Sequence, residues 1–211
     1  STTSKKMNTA SITTLASVLL TCSAFAQAEH KIEHTFDISG QQKLTIDVPV
    51  GSLELSTNKS NQVTVSIELK AKNNSFFSDD VALEEITLKH QQSSDKLSLS
   101  IAEDDVQQTW LVSMPEAMAI DLALGVGDIE VNKFANSAAI DVGVGAVRIS
   151  SALADYQSIT LDSGVGDTKI SGMKNDAKHS RKIVSSTSKY RGDGQHTINI
   201  EVGVGDIKVR H

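Results

Sequence analysis

Apolar and polar residues alternate along most of the chain, and four copies of one short phrase interrupt the alternation at a glycine. In its clearest copies the phrase is apolar-Gly-Val-Gly-Asp-Ile, and its second glycine falls at positions 127, 145, 166 and 205. Apolar residues take odd offsets before that glycine and even offsets after it. Because alternation with a period of two is typical of a strand with one buried face, the sequence predicts an all-β fold.

The change of phase at the glycine predicts a corner in the chain. A strand that slips by one residue and keeps the same face buried must turn or bulge there. Glycine suits a corner because it tolerates positive φ and close approach of another backbone. A fifth copy has the same apolar offsets, although Pro49 replaces its first glycine. The predicted corner glycines are Gly51, Gly127, Gly145, Gly166 and Gly205.

The spacing of the phrases predicts how they stack. The last four glycines are separated by 18, 21 and 39 residues. Since 39 is close to two steps, we expect a degenerate copy near residue 188, unless the divergent segment 171–199 forms a loop instead. A strand-rich repeat of about 20 residues predicts a parallel β-solenoid in which each repeat forms one rung. The alternative is an antiparallel β-sandwich whose hairpins repeat regularly.

Shorter alternating runs predict further strands between the first copy and the other four. They lie at residues 63–69, 97–101 and 110–114. Polar, loop-forming residues predict loops at 72–80 and 91–95. The helix-like stretch at 81–86 is too short to predict a substantial helix.

One stretch resembles a known bacterial family. Val112-Ser-Met-Pro115 leads into Ile120-Asp-Leu-Ala-Leu-Gly-Val-Gly-Asp-Ile-Glu-Val131, which is a strand, a proline step and a Gly-Asp phrase. This pattern resembles the "putative adhesin" domain family of unknown function, which is similar to the head domain of "putative auto-transporter adhesins". The resemblance covers Phe36 to Val209 and departs from the pattern at 171–199. It implies an exported β-solenoid and no particular activity.

The N-terminal segment predicts export. Lys5 and Lys6 precede a short apolar stretch that ends in small residues, with cleavage expected after Ala26 or Ala28. This arrangement is typical of a secretory signal peptide, which we place at residues 1–26. The protein is therefore expected in the periplasm or outside the cell.

Cys22 is a less favoured lipidation site, because Thr21 precedes it instead of Gly or Ala. The remaining residues, 27–211, are expected to form a single adhesin-like solenoid domain that is most regular over 116–211. They contain no cysteine, so this domain is expected to fold without disulfides.

Composition and charge exclude several classes of protein. The 211 residues are 39% hydrophobic and 22% charged, which excludes wholesale disorder. No apolar run reaches the roughly 20 residues of a membrane span, which excludes a polytopic membrane protein. A net charge of −6 without a basic cluster argues against a nucleic-acid partner.

Stacked rungs would align equivalent residues in rows about 4.8 Å apart. Three residues after each corner glycine, cations follow Glu130 in four consecutive copies. This candidate binding surface could contact anionic sugars, lipid head groups or an acidic partner. Its residues are Arg148, Lys169, Arg191 and Lys208. The alternative is simple charge balance with nearby acids, which are Asp141, Asp162 and Glu201.

The position just after each corner forms a second predicted row. It contains Asp128, Ala146, Asp167, Lys189 and Asp206. We expect this mixture to limit repulsion between carboxylates. Calcium binding between rungs is the alternative, but calcium-binding nonapeptide repeats place an aspartate in every turn of nine residues.

Other motifs predict no catalytic chemistry. The H-x-x-E-H pattern at 30–34 matches a zinc-protease signature only when it lies on a helix, and here it runs into a predicted strand. The glycine phrases lack the third glycine or the Gly-Lys-Ser/Thr of nucleotide-binding loops. No serine lies in a nucleophile elbow. We therefore predict no catalytic residue, metal site or cofactor, and no enzyme activity.

The sequence as a whole predicts an exported, non-catalytic binding, adhesive or structural module of the bacterial cell envelope. Its partner would be an envelope glycan, a protein or a second copy of the chain, because the open ends of stacked rungs need cover. Segment 171–199, rich in Lys, Arg and Ser, is the expected contact loop. The alternatives are an envelope accessory or regulatory protein, and a carbohydrate-active enzyme on a β-helix scaffold, which rests on fold analogy alone.

Overall fold

The computed structural model describes residues 29–72 and 82–211, and in these ranges the protein is all-β. A single 3₁₀ turn, Leu83–Glu85, accompanies fifteen strands. The strands are β1 (Glu29–Asp37), β2 (Lys43–Asn58), β3 (Gln62–Ala71), β4 (Lys89–Gln92), β5 (Lys96–Ser100), β6 (Val106–Pro115), β7 (Ala119–Phe134), β8 (Ala138–Val144), β9 (Val147–Ser151), β10 (Ser158–Val165), β11 (Thr168–Ser171), β12 (Lys178–Arg181), β13 (Ser186–Arg191), β14 (Thr197–Val204) and β15 (Ile207–Arg210). The all-β class predicted from the sequence is confirmed.

The strands form one open sheet that divides into two wings at the corner glycines. β2 and β7 run through the corner, whereas the pairs β8/β9, β10/β11 and β14/β15 each break at it. The first wing has the order β4-β5-β2-β7-β8-β14-β10-β13-β12. The second wing has the order β1-β3-β6-β2-β7-β9-β15-β11.

Both wings contribute to one hydrophobic core, which explains the change of phase at each glycine. In β7 the buried residues are Leu122 and Leu124 before Gly127, but Ile129 and Val131 after it. The same switch occurs in β2. The corner therefore turns the chain so that the inward residues of both halves pack in a common cluster.

The phrases lie side by side in parallel register. Gly51 pairs with Gly127 in the β2–β7 ladder. Beyond them, the valine that precedes each corner glycine pairs with its counterpart in the next phrase. The spatial order of the corner glycines is 51, 127, 145, 205 and 166. We call one corner glycine together with its two flanking strand segments a rung.

This order corrects the predicted stacking in chain order. The last rung, β14/β15, lies between β8/β9 and β10/β11 instead of beyond them. Each phrase has the same glycine spacing, so each can pair in register with any other. The pattern alone therefore does not determine which phrases become neighbours.

The predicted degenerate rung near residue 188 is also wrong, and segment 171–199 is not a simple loop. β12 and β13 form an antiparallel hairpin, and β13 pairs antiparallel with β10. Ser186 and Ser188 stand where a rung would need its two glycines. A parallel corner cannot form there, because a side chain at these positions would overlap the neighbouring backbone.

Antiparallel strands border both ends of the parallel rungs. β4 and β3 pair with β5 and β6 at one end, and β13 pairs with β10 at the other. The expected cover over the open rung ends is thus supplied by this chain itself, at least along these strands. The predicted strands at 63–69 and 110–114 are confirmed as parts of β3 and β6, and the one at 97–101 matches β5 except that β5 ends at Ser100.

The predicted signal peptide at 1–26, with Cys22 and its cleavage sites, lies outside the described residues. Most of the predicted loop at 72–80 lies outside them as well. Within the described ranges, no helix is long and apolar enough to cross a lipid bilayer.

Candidate functional site

The predicted cation row exists in part, on the outer face of the second wing. Register places Glu54, Glu130, Arg148, Lys208 and Lys169 next to one another in that order. All five side chains are exposed. We call the three adjacent cations the basic row.

Arg191 does not belong to the basic row. Because β13 runs antiparallel to β10, Arg191 lies opposite Ser158, at the far end of the first wing. Its predicted position assumed a parallel rung near residue 188. Glu54 was not predicted as a neighbour, since the predicted row began only at Glu130.

Lys208 and Lys169 have only cations beside them within the row, whereas Arg148 also borders Glu130. Neighbouring strands lie about 4.8 Å apart, so the three positive charges are close enough to repel one another. None of the ion pairs found among the described residues includes a member of the row. Such an arrangement favours a multivalent anion.

The acids expected to balance these cations lie on the other wing. Asp141, Glu201 and Asp162 are adjacent on the outer face of the first wing, before the corner, and form an acidic row. They face a shallow depression of about 370 Å³ whose other lining residues include Gly143, Gly164 and Gly203. Thr187 donates a hydrogen bond of 2.7 Å to Asp162. The pairing that would have explained the cations as charge balance is therefore absent from the described residues.

The aspartates just after the corners bind backbone groups. Asp128 Oδ1 accepts a 2.8 Å hydrogen bond from the amide of Ala146, and Asp206 Oδ1 accepts one of the same length from the amide of Asp167. The Asp167 carboxylate pairs with Arg181. Lys189, predicted in the same row, lies on β13 away from the corners. Among the described residues, no group of three or more His, Cys, Asp or Glu side chains could hold a metal ion.

The corner glycines make the close approach of the rungs possible. Gly127 has φ +140°, and a Cβ there would lie 1.6 Å from the carbonyl oxygen of Gly51. Gly145 has φ +149°, and its Cβ would lie 1.5 Å from the oxygen of Gly127. Gly166 and Gly205 also have positive φ, and a Cβ at either would overlap the carbonyl oxygen of the neighbouring corner glycine. A Cβ at Gly51 would overlap the backbone of Gln108. These glycines position the surface rows and do not themselves present a ligand site.

A groove of about 610 Å³ crosses the outer face of the second wing at the opposite end from β11. Hydroxyl groups line much of it, and Leu111 contributes an exposed apolar side chain. Two carboxylates, Glu33 and Glu54, also line the groove. The sequence analysis missed this site, because β1, β3, β6 and β2 come together only through antiparallel pairing.

The H-x-x-E-H residues lie on strand β1 and not on a helix. Side chains on a strand alternate between faces, so His30 and His34 share one face and Glu33 points to the other. His34 stacks on Phe36 with ring centroids 4.3 Å apart and lies 5.1 Å from the ring of His90. This geometry does not bring the motif together as zinc ligands.

A buried hydroxyl cluster covers the outer edge of β11. Thr168 Oγ1 lies 2.7 Å from the hydroxyl oxygens of both Ser186 and Ser188. The amide of Thr168 donates to Ser186 at 3.1 Å, and Ser188 donates to the carbonyl of Thr168 at 3.2 Å. His179 Nδ1 lies 2.9 Å from the Ser188 hydroxyl. Hydroxyl groups thus take the place of a neighbouring strand at this edge.

Asp155 attaches the end of β13 to the rest of the protein. Its carboxylate accepts hydrogen bonds from the Tyr190 hydroxyl and from the amides of Asp193 and Tyr156. The Tyr190 bond, followed by the Asp193 and Tyr156 amides, lowers the pKa of Asp155 below its ordinary value of 3.8. Burial, with a smaller effect of the carboxylate, raises the pKa of Tyr190.

Comparison with known proteins agrees with this geometry at the level of fold. The model of the family described as the N-terminal domain of toast_rack, DUF2154, matches residues 25–171. The match ends before the β12–β13 hairpin and the last rung. No curated protein matches the chain significantly.

Two solved structures illustrate the likeness. A "putative cell adhesion protein" from Clostridium sporogenes is 16% identical, with a TM-score of 0.52, and the alignment covers 87% of this chain and 99% of that one. A "putative adhesin" from Bacteroides fragilis is 13% identical over 87% of this chain and 98% of that one, with a TM-score of 0.34. The similarity to the first structure shows a shared fold alone, and the TM-score of the second is too low to support any conclusion.

Proposed function

This chain belongs to the family of the N-terminal domain of toast_rack, DUF2154, and from that premise we propose that it is an exported, non-catalytic binding or adhesion module of the bacterial cell envelope. The name of the Clostridium sporogenes neighbour, a "putative cell adhesion protein", is consistent with this proposal. The observation that carries it is the basic row, Arg148-Lys208-Lys169, which is exposed and forms no ion pair among the described residues.

The proposed mechanism is passive. Backbone hydrogen bonds between parallel rungs hold the Cα atoms of the three cations at a fixed spacing of about 4.8 Å. The charged groups are therefore aligned before a ligand binds. An extended anionic polymer, such as an acidic envelope glycan, would contact several of them at once. The acidic row on the other wing would repel such a polymer and so favour its contact with the basic row.

We extend the proposal to the architecture and the route of export. Residues 27–211 would form one domain in which the rungs make up a short parallel β-solenoid with its last rung inserted. The in-register phrases and the positive φ of the corner glycines support this interpretation. A signal peptide at 1–26, cleaved after Ala26 or Ala28, would deliver the domain to the periplasm or the cell surface.

The test is binding of the purified chain to an array of acidic and neutral envelope polysaccharides. We expect saturable binding to acidic polymers, reduced at least tenfold in Arg148→Ala/Lys169→Ala/Lys208→Ala. The matched control is Lys43→Ala/Lys89→Ala/Lys96→Ala, which removes three exposed lysines from the first wing. Equal loss in both triples would mean that net charge alone governs binding. No binding to any acidic polymer would reject the proposed role of the basic row.

A carbohydrate-active enzyme is the second candidate, because the hydroxyl-lined groove contains Glu33 and Glu54. Glycoside hydrolysis usually needs two carboxylates about 5–9.5 Å apart on either side of the sugar. The strand register places Glu33 and Glu54 three strand spacings apart, which is about 14 Å and disfavours this candidate. This candidate predicts release of reducing sugars from a polysaccharide, abolished by Glu33→Gln or Glu54→Gln. Binding without turnover, unchanged in both variants, would favour the non-catalytic module.

A further inference from the structure

We propose that the tip of the β12–β13 hairpin docks on the surface of an anionic lipid bilayer. The tip is the turn 182–185, which joins Lys178–Arg181 to Ser186–Arg191 at the edge of the first wing. It lies outside the basic row, so this inference goes beyond the proposed polymer binding and uses different residues.

The tip presents two branched aliphatic side chains to solvent. Ile183 is 96% exposed and Val184 is 52% exposed. No other described large hydrophobic residue reaches the exposure of Ile183. Nothing in the packing of the core requires these side chains, since both point away from it.

The tip is held in place before any partner arrives. The amide of Lys182 donates a 3.0 Å hydrogen bond to the carbonyl of Ser185, which closes the turn. The amide of Gly166 donates a 3.0 Å bond to the carbonyl of Val184, which fixes the turn to the neighbouring corner. Because the backbone is already ordered, insertion of the two side chains would cost little conformational entropy.

The hairpin is basic, although the chain as a whole is acidic. Residues 172–194 contain six Lys or Arg and two Asp, whereas the net charge of the chain is −6. Lys178 and Lys189 lie opposite each other on the outer face of the hairpin, and Lys182 lies in the turn at the tip, where it is exposed. None of these three lysines forms an ion pair with a described residue. Of the other cations, Lys174 pairs with Asp193 at 3.8 Å and Arg181 pairs with Asp167.

An anionic bilayer fits both features at once. Its head groups attract the lysines, and its interface accepts the aliphatic side chains to a shallow depth. A soluble polyanion would engage the lysines but leave Ile183 in water.

The valine row provides an internal comparison. Val126, Val144, Val204 and Val165 are neighbours along the corners, and each is 46–49% exposed. Asp128 lies two residues after Val126, and Asp141 lies three before Val144. Val184 accepts a hydrogen bond from Gly166 as Val165 does from Gly205, so the tip continues this row. Val126 and Val144 lie at the other, acidic end of the row, so these two valines should not contact an anionic membrane.

The experiment measures co-sedimentation of the full chain with vesicles of phosphatidylglycerol and phosphatidylcholine in equal parts, and with pure phosphatidylcholine vesicles. We expect binding only to the anionic vesicles. Ile183→Ser/Val184→Ser should lower the partition coefficient about tenfold. Lys178→Ala/Lys182→Ala/Lys189→Ala should lower it about a hundredfold. The control Val126→Ser/Val144→Ser should bind like the unmodified chain.

Three results would overturn the proposal. These are no binding to anionic vesicles, full binding by the Ile183→Ser/Val184→Ser variant, and an equal loss in the Val126→Ser/Val144→Ser control. Full competition by soluble inorganic polyphosphate together with full binding by the tip variant would identify a simple anion site instead. Polysaccharide binding by Ile183→Ser/Val184→Ser should be unchanged, so failure of this proposal is distinguishable from failure of the basic row.

Discussion

The parallel rungs and the β12–β13 hairpin extend the same wing by different means. In the rungs, paired glycines bring one backbone against the next, and β14 pairs in parallel with β10. On the other side of β10, the hairpin has no such glycines and pairs antiparallel. Apolar alternation alone therefore makes a strand, while the glycine corner decides whether that strand continues as a parallel rung.

The parallel rungs and the hairpin also differ in how they supply hydrogen-bond partners to the backbone of the second wing. A rung supplies a complete neighbouring strand there, as β15 does for β11. The hairpin supplies only the hydroxyl groups of Ser186 and Ser188 to the other edge of β11. Stacking consequently ends at β11 with its buried polar groups paired, and the chain needs no further rung.

The largest expected effect on the parallel rungs comes from adding a side chain at a corner glycine. Gly145→Ala places a methyl group 1.5 Å from the Gly127 carbonyl oxygen at a φ of +149°. Neither the strand spacing nor the backbone angle can accommodate it. We expect a loss of more than about 4 kcal/mol in the free energy of unfolding, measured by urea denaturation.

Gly40→Ala is the control for this substitution. Gly40 also has a positive φ, +87°, but the nearest atom to its Cβ would be the Ser94 oxygen at 3.6 Å. It tests the cost of the backbone angle without the overlap, which should be about 1 kcal/mol. Similar losses in the two variants would show that the close approach of the rungs is not what the corner glycines provide.

The second prediction concerns the hydroxyl cluster that replaces a rung at β11. Ser188→Ala removes a buried donor and leaves the Thr168 carbonyl and hydroxyl with fewer partners. We expect a loss of about 1–3 kcal/mol in unfolding free energy, together with faster amide exchange in β11 and β13. Thr187→Ala, which removes an outward hydroxyl of the same strand, should cost less. Equal exchange in both variants would contradict an edge-covering role.

These two regions also show how far the sequence could predict the structure. The phase change at Gly127 and Gly145 predicted the corners, because only a turn keeps both halves of such a strand buried. It could not predict that Gly205 stacks between Gly145 and Gly166, because identical phrases offer identical pairing geometry. Ser186 and Ser188 in place of glycines were the available signal that no rung forms near 188.

The candidate surface was predictable only where strands pair in parallel at equal offsets from a corner glycine. The adjacent cations Arg148, Lys208 and Lys169 share offsets that are readable in the sequence, so the row could be predicted although its order could not. Arg191 was misplaced because its offset assumed a parallel strand. The groove with Glu33 depends on antiparallel pairing between distant segments, for which the repeats contain no signal.

The smallest predicted effect lies at the attachment of the hairpin and depends on pH. Hydrogen bonds from Tyr190, Asp193 and Tyr156 lower the pKa of Asp155 below 3.8 in the folded protein. A carboxyl group with a depressed folded pKa stabilises the fold above its unfolded pKa, and this contribution is lost as pH falls through the folded value. The stabilisation should thus be present at pH 5 to 7, begin to decrease near pH 4 and be lost once the pH is below the folded pKa of Asp155.

Asp155→Asn should therefore lower the melting temperature slightly near neutral pH, while below about pH 3 its melting temperature should converge on that of the unmodified chain. The control is Asp176→Asn, which removes an exposed carboxylate from the same segment and should leave the pH profile unchanged. Amide exchange in β13 should report the change more strongly than exchange in β7, because Asp155 binds the hairpin and not the long rungs. A constant difference between Asp155→Asn and the unmodified chain at all pH values would instead mean that the variant acts through lost packing. In that case the hairpin would be held by its strand pairing and hydroxyl contacts alone, as an extension of the sheet with no separate ionic attachment.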